Sequence, residues 1–305
     1  LIRGTAIAVP LYIDEGARMR TEEFPALYRS ADDLAACEQG RFFNLLKANL
    51  ALLLLGAALS IGSMDHWAVA LLQAIALLMA LVISVALYST RADRIWYAAR
   101  ALAESIKTLT WRFVSRAEPF DEADDAAEKI LQARLRATLN QNRELAGRFL
   151  MNLDGRQITD QMRKRRSDQL EVRMETYRIH RISDQRAWYA AKARENARRS
   201  KSFFMVVVLA NGLAIVSALL KIKYPLFNYW PTELLVTLAS GVLAYTQSKR
   251  FSELAASYAL TAHEIGMVEE QLVKVRGEHE FSMFVGDAEN AFSREHTQWE
   301  ARKDV

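Results

Sequence analysis

Five histidines, one cysteine and a run of four basic residues are the side chains of this 305-residue chain best suited to hold a metal or an anion, or to attack a substrate. His66, His180, His263, His279 and His296 are scattered without the spacing that metal ligands need, and Cys37 stands alone. No glycine-rich phosphate loop and no nucleophile motif occurs, so neither an enzyme nor a bound metal or other cofactor is expected. His296, in ENAFSREHTQW, is expected to share a packing face of one helix with Glu295 and Trp299. The stronger signal is electrostatic. Arg163, Lys164, Arg165 and Arg166 adjoin one another in a stretch, Arg91 to Lys201, with 25 basic against 16 acidic residues. Such a cluster is a solvated helix face, a receptor for an anionic ligand such as a nucleotide, or a contact for anionic lipid headgroups. A nucleic-acid duplex is not an expected partner, because the bases are interleaved with acids and no recognised module is present.

The remaining polar groups of interest lie inside apolar runs. Trp67 to Tyr88 holds 22 residues without a charge, enough to cross a hydrocarbon layer of about 30 Å. Residues 42–64 are nearly as apolar, with Lys47 close enough to one end to snorkel. Ser202 to Leu220 is a third uncharged run, and residues 229–245 form a weaker fourth whose charge is Glu233. Within these runs Gln73, Ala76, Ala80 and Ser84 share a face, as do Gly56, Ser60 and Ser63, and Thr237, Gly241 and Ala244, while Asn211 sits at mid-span. Small and amide side chains in a bilayer serve helix contact or, after oligomerisation, line a water-filled path.

Two membrane hairpins follow, with spans at about 42–64, 67–88, 202–220 and 229–245. Arg91, Arg94, Arg198, Arg199, Lys201, Lys249 and Arg250 crowd one side and outvote Lys221 and Lys223 on the other, so both termini are expected in the cytosol. Ala6 to Tyr12 is too short for the apolar region of a cleavable signal. With 12 Gly and 5 Pro and no sustained alternation, the fold class is an all-α integral membrane protein with long cytosolic extensions. Ile95, Ala99, Leu102, Ile106, Leu109 and Phe113 form one coiled-coil seam. Leu254, Tyr258, Ile265, Val268, Leu272 and Val275 form another, with Thr261 between. Each seam needs a partner, inside the chain or in a second subunit. Glu118, Pro119 and Phe120 are expected to end the first arm and Asp121 to cap a helix running to about Phe149. Gln157 to Lys201 carries no breaker, yet a straight helix there cannot close the hairpins, so either the preceding helix runs sideways or this one breaks near Arg166 and Ser167. The chain divides at 1–118, 119–186 and 187–305.

An internal repeat organises these units. An offset of 161 sets Phe42, Phe43, Tyr28 and Ala36 over Phe203, Phe204, Tyr189 and Ala197, and an offset of 160 sets Ala99 and Glu104 over Ala259 and Glu264. FPALYRSADDLAACEQGRFF and RIWYAARALAESIKTLTWRFVSRAEPF resemble one branch of the SLATT domains, two-transmembrane effector modules of bacterial conflict systems. YRIHRISDQRAWYAAKARENARRSKSFF, with ENAFSREHTQW, resembles a second branch. The resemblance implies an inner-membrane effector of antiviral defence, acting beside nucleotide second-messenger synthases or nucleotide-sensing partner proteins and opening pores. It carries no catalytic residues, and Trp96, Glu104, Trp111, Trp188 and Tyr189 match its recurrent positions as packing residues. No SLOG-like or SAVED-like sensor lies in this sequence, which leaves the trigger to a partner, a ligand on the cytosolic helices or a domain outside it. A homo-oligomeric pore is the leading expectation; a non-conducting scaffold that recruits a cytosolic sensor is the alternative, and a transporter stands third.

Overall fold

The computed structural model describes residues 19–61 and 66–301, with 293–301 as backbone only. Ser63 and most of the first hairpin loop lie outside the described residues, as do the side chains of Glu295, His296 and Trp299. Every regular element among the described residues is helical. α1 (Ala26–Ser60) and α2 (Trp67–Thr90) make the first hairpin, and α3 (Ala92–Val114) follows after a single residue. α4 (Asp124–Gln141), α5 (Arg143–Ala146), α6 (Asp160–Ser167) and α7 (Leu170–Tyr177) connect the units. A π-helical turn, Arg178–Ser183, then runs into α8 (Asp184–Lys223), which turns back as α9 (Thr232–Lys249). α10 (Phe251–Leu272) and α11 (Glu278–Ala301) complete the described chain.

The repeat is visible in this architecture. In each unit the long first helix packs on its hairpin partner and, nearer its start, on the helix that follows: α1 on α2 and α3, α8 on α9 and α10. The joint between hairpin and following helix is one arginine in the left-handed region, Arg91 at φ 45° and Arg250 at φ 52°. That conformation costs an L-residue about 1–2 kcal/mol, and it interrupts the helical hydrogen-bond ladder where the helix axis turns. Neither joint was marked by glycine or proline.

α1, α2 and α8 are long and apolar enough to cross a membrane. α9 falls short of that measure, with Glu233 at one end and Gln247 and Lys249 at the other, although its 18 residues extend about 27 Å. It runs antiparallel to α8: the Ser217 and Thr232 hydroxyls are 2.9 Å apart at one end, and Phe203 and Tyr245 are in edge contact at the other. α1 also packs on α9, and no other pair among these four is in substantial contact. The four therefore stand in an open row, α2, α1, α9, α8. Close approach within it uses small residues. A Cβ on Gly56 would come within 2.9 Å of Leu77, Ala76 and Ala80 are buried on α2, and Ala210, Ala214 and Ser217 of α8 are buried beside Ala239 of α9.

The core lies beyond the row, around α3. Ala99, Ile106 and Phe113 are fully buried there and Leu102 nearly so, while Ile265 and Leu272 of α10 join the same cluster with Tyr258 and Leu109 partly buried against it. Both seams are thus spent within the chain, α3 against α1 and α11, α10 against α8. α3 ends at Val114, four residues before Glu118, because Arg116 takes a positive φ of 56°. α4 starts at Asp124 behind Ala123, rather than being capped by Asp121, and stops at Gln141 well short of Phe149. The Gln157 to Lys201 segment is broken between Ser167 and Leu170, where Asp168 and Gln169 are extended.

Candidate functional site

The basic cluster explains that break. Arg166 is buried, and its guanidinium donates to the Phe113 carbonyl (2.8 Å), to the Glu122 carbonyl (2.8 Å) and to the Asp124 carboxylate (2.9 Å). Arg173 donates to the Ser115 and Asp168 carbonyls, each at 3.0 Å, and pairs with Glu278. Together they satisfy the carbonyls left open where α3 ends. Arg165 reaches Glu23 at 3.2 Å, and Arg163 makes two hydrogen bonds to Glu128, at 2.7 and 3.0 Å. Only Lys164 of the four points to solvent without a described partner. Arg163, Arg165 and Arg166 are thus each paired within the chain, Arg166 in the core and Arg163 at the surface.

A second buried network, absent from the sequence reading, ties the units together. Glu289 of α11, fully buried, accepts two hydrogen bonds at 2.7 Å from buried Arg181 of the π turn. It also accepts from the Tyr177 hydroxyl at 3.0 Å and from Thr108 of α3 at 2.9 Å. Burial and the adjoining Glu289 carboxylate push the Tyr177 phenol well above its ordinary range. It stays a hydrogen-bond donor at neutral pH.

Polar groups of the row fall into two sets. Ala76 and Ala80 face α1, Gln73 is half-buried on that side, and Ser84 donates to its own helix at the Ala80 carbonyl (3.0 Å), with Asn49 of α1 at 3.4 Å. Thr237 and Gly241 line a groove of about 290 Å³ between α1 and α9, with Leu50 and Leu54 opposite. Ala76, Ala80, Thr237 and Gly241 lie at helix contacts, while Ser84 is exposed at the edge of one. Asn211 differs: it is exposed on α8, and its amide nitrogen finds only the Val207 carbonyl of its own helix, at 3.0 Å.

A large hollow opens between the units where the row meets the core. It is a cavity of about 900 Å³, walled by α1 and α3 on one side and by α8, α10 and the end of α9 on the other. Trp96 and Tyr97 stack at 4.2 Å on the first wall; on the second, Tyr189 meets Trp188 and Tyr258 edge to face at 5.0 and 5.4 Å, and Trp188 and Tyr258 lie tilted at 5.6 Å. Seven Lys and Arg against two acids line it. Glu104 serves both Arg100 (2.6 Å) and Lys107 (3.7 Å), and Glu195 serves both Lys192 (2.8 Å) and Arg199 (2.5 Å). Burial pushes the Lys107 ammonium down although Glu104 pulls it up. Lys249 lies over the Phe43 ring, 3.3 Å from its centre, with no carboxylate partner among the described residues. Arg250, the second joint, also lines this space. Trp111 closes one end, nearly fully buried, and its indole N–H has no hydrogen-bond partner.

Two family models account for the architecture. Residues 25–174 match SLATT_3, the SMODS and SLOG-associating 2TM effector domain 3, and residues 177–299 match SLATT_1, the effector domain 1. The chain belongs to the SLATT family. It carries two SLATT domains in tandem, meeting next to the π turn, which agrees with the repeat in the structure. SLATT domains are membrane effector domains of conflict systems rather than an enzymatic family. Searches of curated proteins and of solved structures return no match.

Of the residues that position this site, Trp96, Trp188 and Tyr189 were legible as recurrent SLATT positions, but as packing groups. Their placement on opposite walls of one cavity was not, since the two walls lie about ninety residues apart along the chain. Signals did exist for the α8 contact: Ala210, Ala214 and Ser217 recur at helical spacing inside an apolar run.

Proposed function

We propose that this tandem SLATT protein is an oligomeric membrane effector whose subunits assemble into a pore in the bacterial inner membrane, opened by a signal acting on the cytosolic helices. The observation that carries this reading is Asn211. A carboxamide at the middle of an apolar helix, exposed on the outer face of the row and bonded only to its own backbone, is poorly solvated by lipid tails. It is satisfied by a neighbouring subunit or by water in a shared path. The open row favours the same conclusion, since four helices that do not close on themselves enclose nothing until copies are joined edge to edge. α10 packs on the half of α8 that precedes the apolar run, which supports the reading that α9 crosses back as a fourth span and that both termini are cytosolic. The scaffold alternative draws on α10, where Leu260 and Met267 are exposed on a face outside the subunit core.

Purified full-length protein in liposomes tests the reading by ion flux. Asn211→Leu should change conductance at least severalfold while leaving the fold intact. Folded, inserted protein that passes no ions under any condition would put the scaffold first.

A further inference from the structure

We propose that the groove between α1 and α9 is a site for an anionic phospholipid of the cytosolic leaflet, with an acyl chain along the groove and the phosphate between Lys47 and Lys249. It goes beyond the pore and rests on one part of the reading above, that α9 crosses the membrane. Leu50 and Leu54 of α1 form one side of the groove, and Leu238, Gly241 and Val242 of α9 the other. The Thr237 hydroxyl is turned aside to the Glu233 carbonyl of its own helix, at 2.7 Å, and makes no demand on an occupant. Gly241 keeps the space open, since a Cβ there would already touch Leu50 at 3.8 Å and a longer side chain would fill it. From Tyr245 to Thr237 the groove follows eight residues of helix, about 12 Å. That is a little under half of a hydrocarbon layer of about 30 Å, the depth through which the acyl chain of one leaflet runs.

The mouth of the groove sets its level and its charge. Tyr245 contacts Phe43, Phe203 and Phe251 at 5.6–6.4 Å, an aromatic cluster of the kind that sits where hydrocarbon gives way to headgroups. At that level Lys47 lines the mouth, and its ammonium reaches only the neutral Asn44 amide oxygen, at 3.4 Å. Lys249 lies over the Phe43 ring, and neither lysine has a carboxylate within ion-pair distance among the described residues. The arginines beside them differ, since Arg199 is held by Glu195 and Arg250 by Glu253. Lys47 and Lys249 stand near enough to repel each other, and a phosphate between them turns that repulsion into attraction. A free phosphate would leave the apolar groove bare, and a zwitterionic headgroup would bring its own cation to the two lysines. An anionic phospholipid meets both demands. α1 belongs to the first SLATT domain and α9 to the second, so the lipid bridges the two domains where their hairpins meet.

The test is native mass spectrometry of full-length protein released from nanodiscs that hold phosphatidylglycerol and phosphatidylcholine in equal amounts with the same acyl chains. Phosphatidylglycerol should be retained over phosphatidylcholine by at least about fivefold. Lys47→Gln combined with Lys249→Gln should erase that preference, and Gly241→Leu should reduce retention of both lipids. Gly212→Leu, at an open position on α8, should change neither. The lysines make no ion pair and a Cβ at Gly241 makes ordinary contact, so these variants keep the fold, as circular dichroism will check. Glycerol phosphate, a headgroup without chains, should not displace the lipid. The proposal is overturned if the two lipids are retained equally, if the preference survives the lysine substitutions, or if glycerol phosphate competes. It is also overturned if Gly241→Leu changes the oligomer and not the lipid, which would give the groove to a second copy. Labelling of Ser252→Cys, in a Cys37→Ser background, with an impermeant maleimide separates the site from the crossing of α9. Labelling from the outer side would remove the fourth span and the site with it; labelling from the cytosolic side alone, with no lipid preference, would remove only the site.

Discussion

In the first unit the helix that leaves the hairpin, α3, has ten of its 23 residues buried, walled in by α1, α4, α6 and α11. Its counterpart α10 has five of 22, rests chiefly on α8, and leaves Leu260 and Met267 more than 60% exposed. The same supersecondary pattern has been finished in two ways. The first unit acquired a connector whose arginines clamp the end of α3, whereas the second kept one side bare and faces the cavity through Trp188, Tyr258 and Arg250. A duplicated module can therefore divide its labour: one copy becomes a frame, and the other is the copy free to answer a ligand or a neighbour.

The frame depends most on the place where the units interlock. Glu289 and Arg181 are a buried pair, and removing one partner strands a charge in the core, at a cost of about 3–5 kcal/mol. Glu289→Ala should therefore abolish cooperative thermal unfolding or lower the midpoint by many degrees. A midpoint unchanged within error would break the comparison, because α11 would no longer be holding α3.

Next in size is a paired substitution. Ile106→Ala, in the fully buried seam of α3, should cost about 2–4 kcal/mol, while Leu260→Ala on the bare face of α10 should cost less than about 0.5 kcal/mol. Denaturant unfolding in detergent checks the stabilities. Size-exclusion chromatography with light scattering then asks whether Leu260→Asp shifts the oligomer while the subunit stays folded. Equal stability losses at the two positions would erase the distinction between frame and free helix.

What could be read from the sequence follows the range of the interactions. Apolar runs declare themselves residue by residue, so three helices apolar enough to cross a membrane stand where they were expected, and Leu102, Ile106, Phe113, Ile265 and Leu272 of the two seams are buried, because 3.6-residue periodicity is local. Their partners were not legible, since nothing in Ile106 says whether α1 or a second subunit will cover it. The break at Asp168 has no glycine or proline because its cause is tertiary: Arg166 and Arg173 turn inward to cap α3, more than fifty residues away. Asp121 lost the cap for the same reason, as Arg166 draws in Asp124 and the Glu122 carbonyl instead. The cavity combines residues from both units, and no window along the chain contains it.

The two joints give a smaller effect. Arg91→Gly removes the left-handed penalty of about 1–2 kcal/mol and returns part of it as unfolded-chain entropy, for a net gain of about 0.5–1 kcal/mol. Arg250→Gly should gain less, because it also loses the pairing with Glu253. Arg250 but not Arg91 lines the cavity between the units, so in liposomes the second substitution should alter ion flux and the first should not. Flux unchanged by Arg250→Gly, or altered by Arg91→Gly, would mean that the two joints are not specialised.

The smallest effect concerns one ion pair in each unit. Arg163 bonds Glu128 at 2.7 Å and fastens α6 to α4; Arg186 bonds Glu269 at 2.9 Å and fastens α8 to α10. Hydrogen bonds from Arg163 hold the Glu128 carboxyl below its ordinary range. Burial opposes ionisation of Glu269, but hydrogen bonds from Ser183 and Arg186 hold it below that range as well. A carboxylate lowered in the folded state contributes stability that is fully present above its unfolded pKa, about 4.5, and lost as pH falls through the folded value. With Arg163 and Arg186 each about half exposed, the contribution is about 0.5 kcal/mol for either pair. Glu128→Gln and Glu269→Gln should therefore each lower stability by that amount at pH 7 and match the parent near pH 3. A deficit that persists at pH 3 would show that the glutamate acts through packing rather than charge. A deficit at pH 7 for Glu128 alone would mean that the free helix α10 is not held to α8 by its charge, leaving Ser183 and the Tyr189–Tyr258 contact to do it.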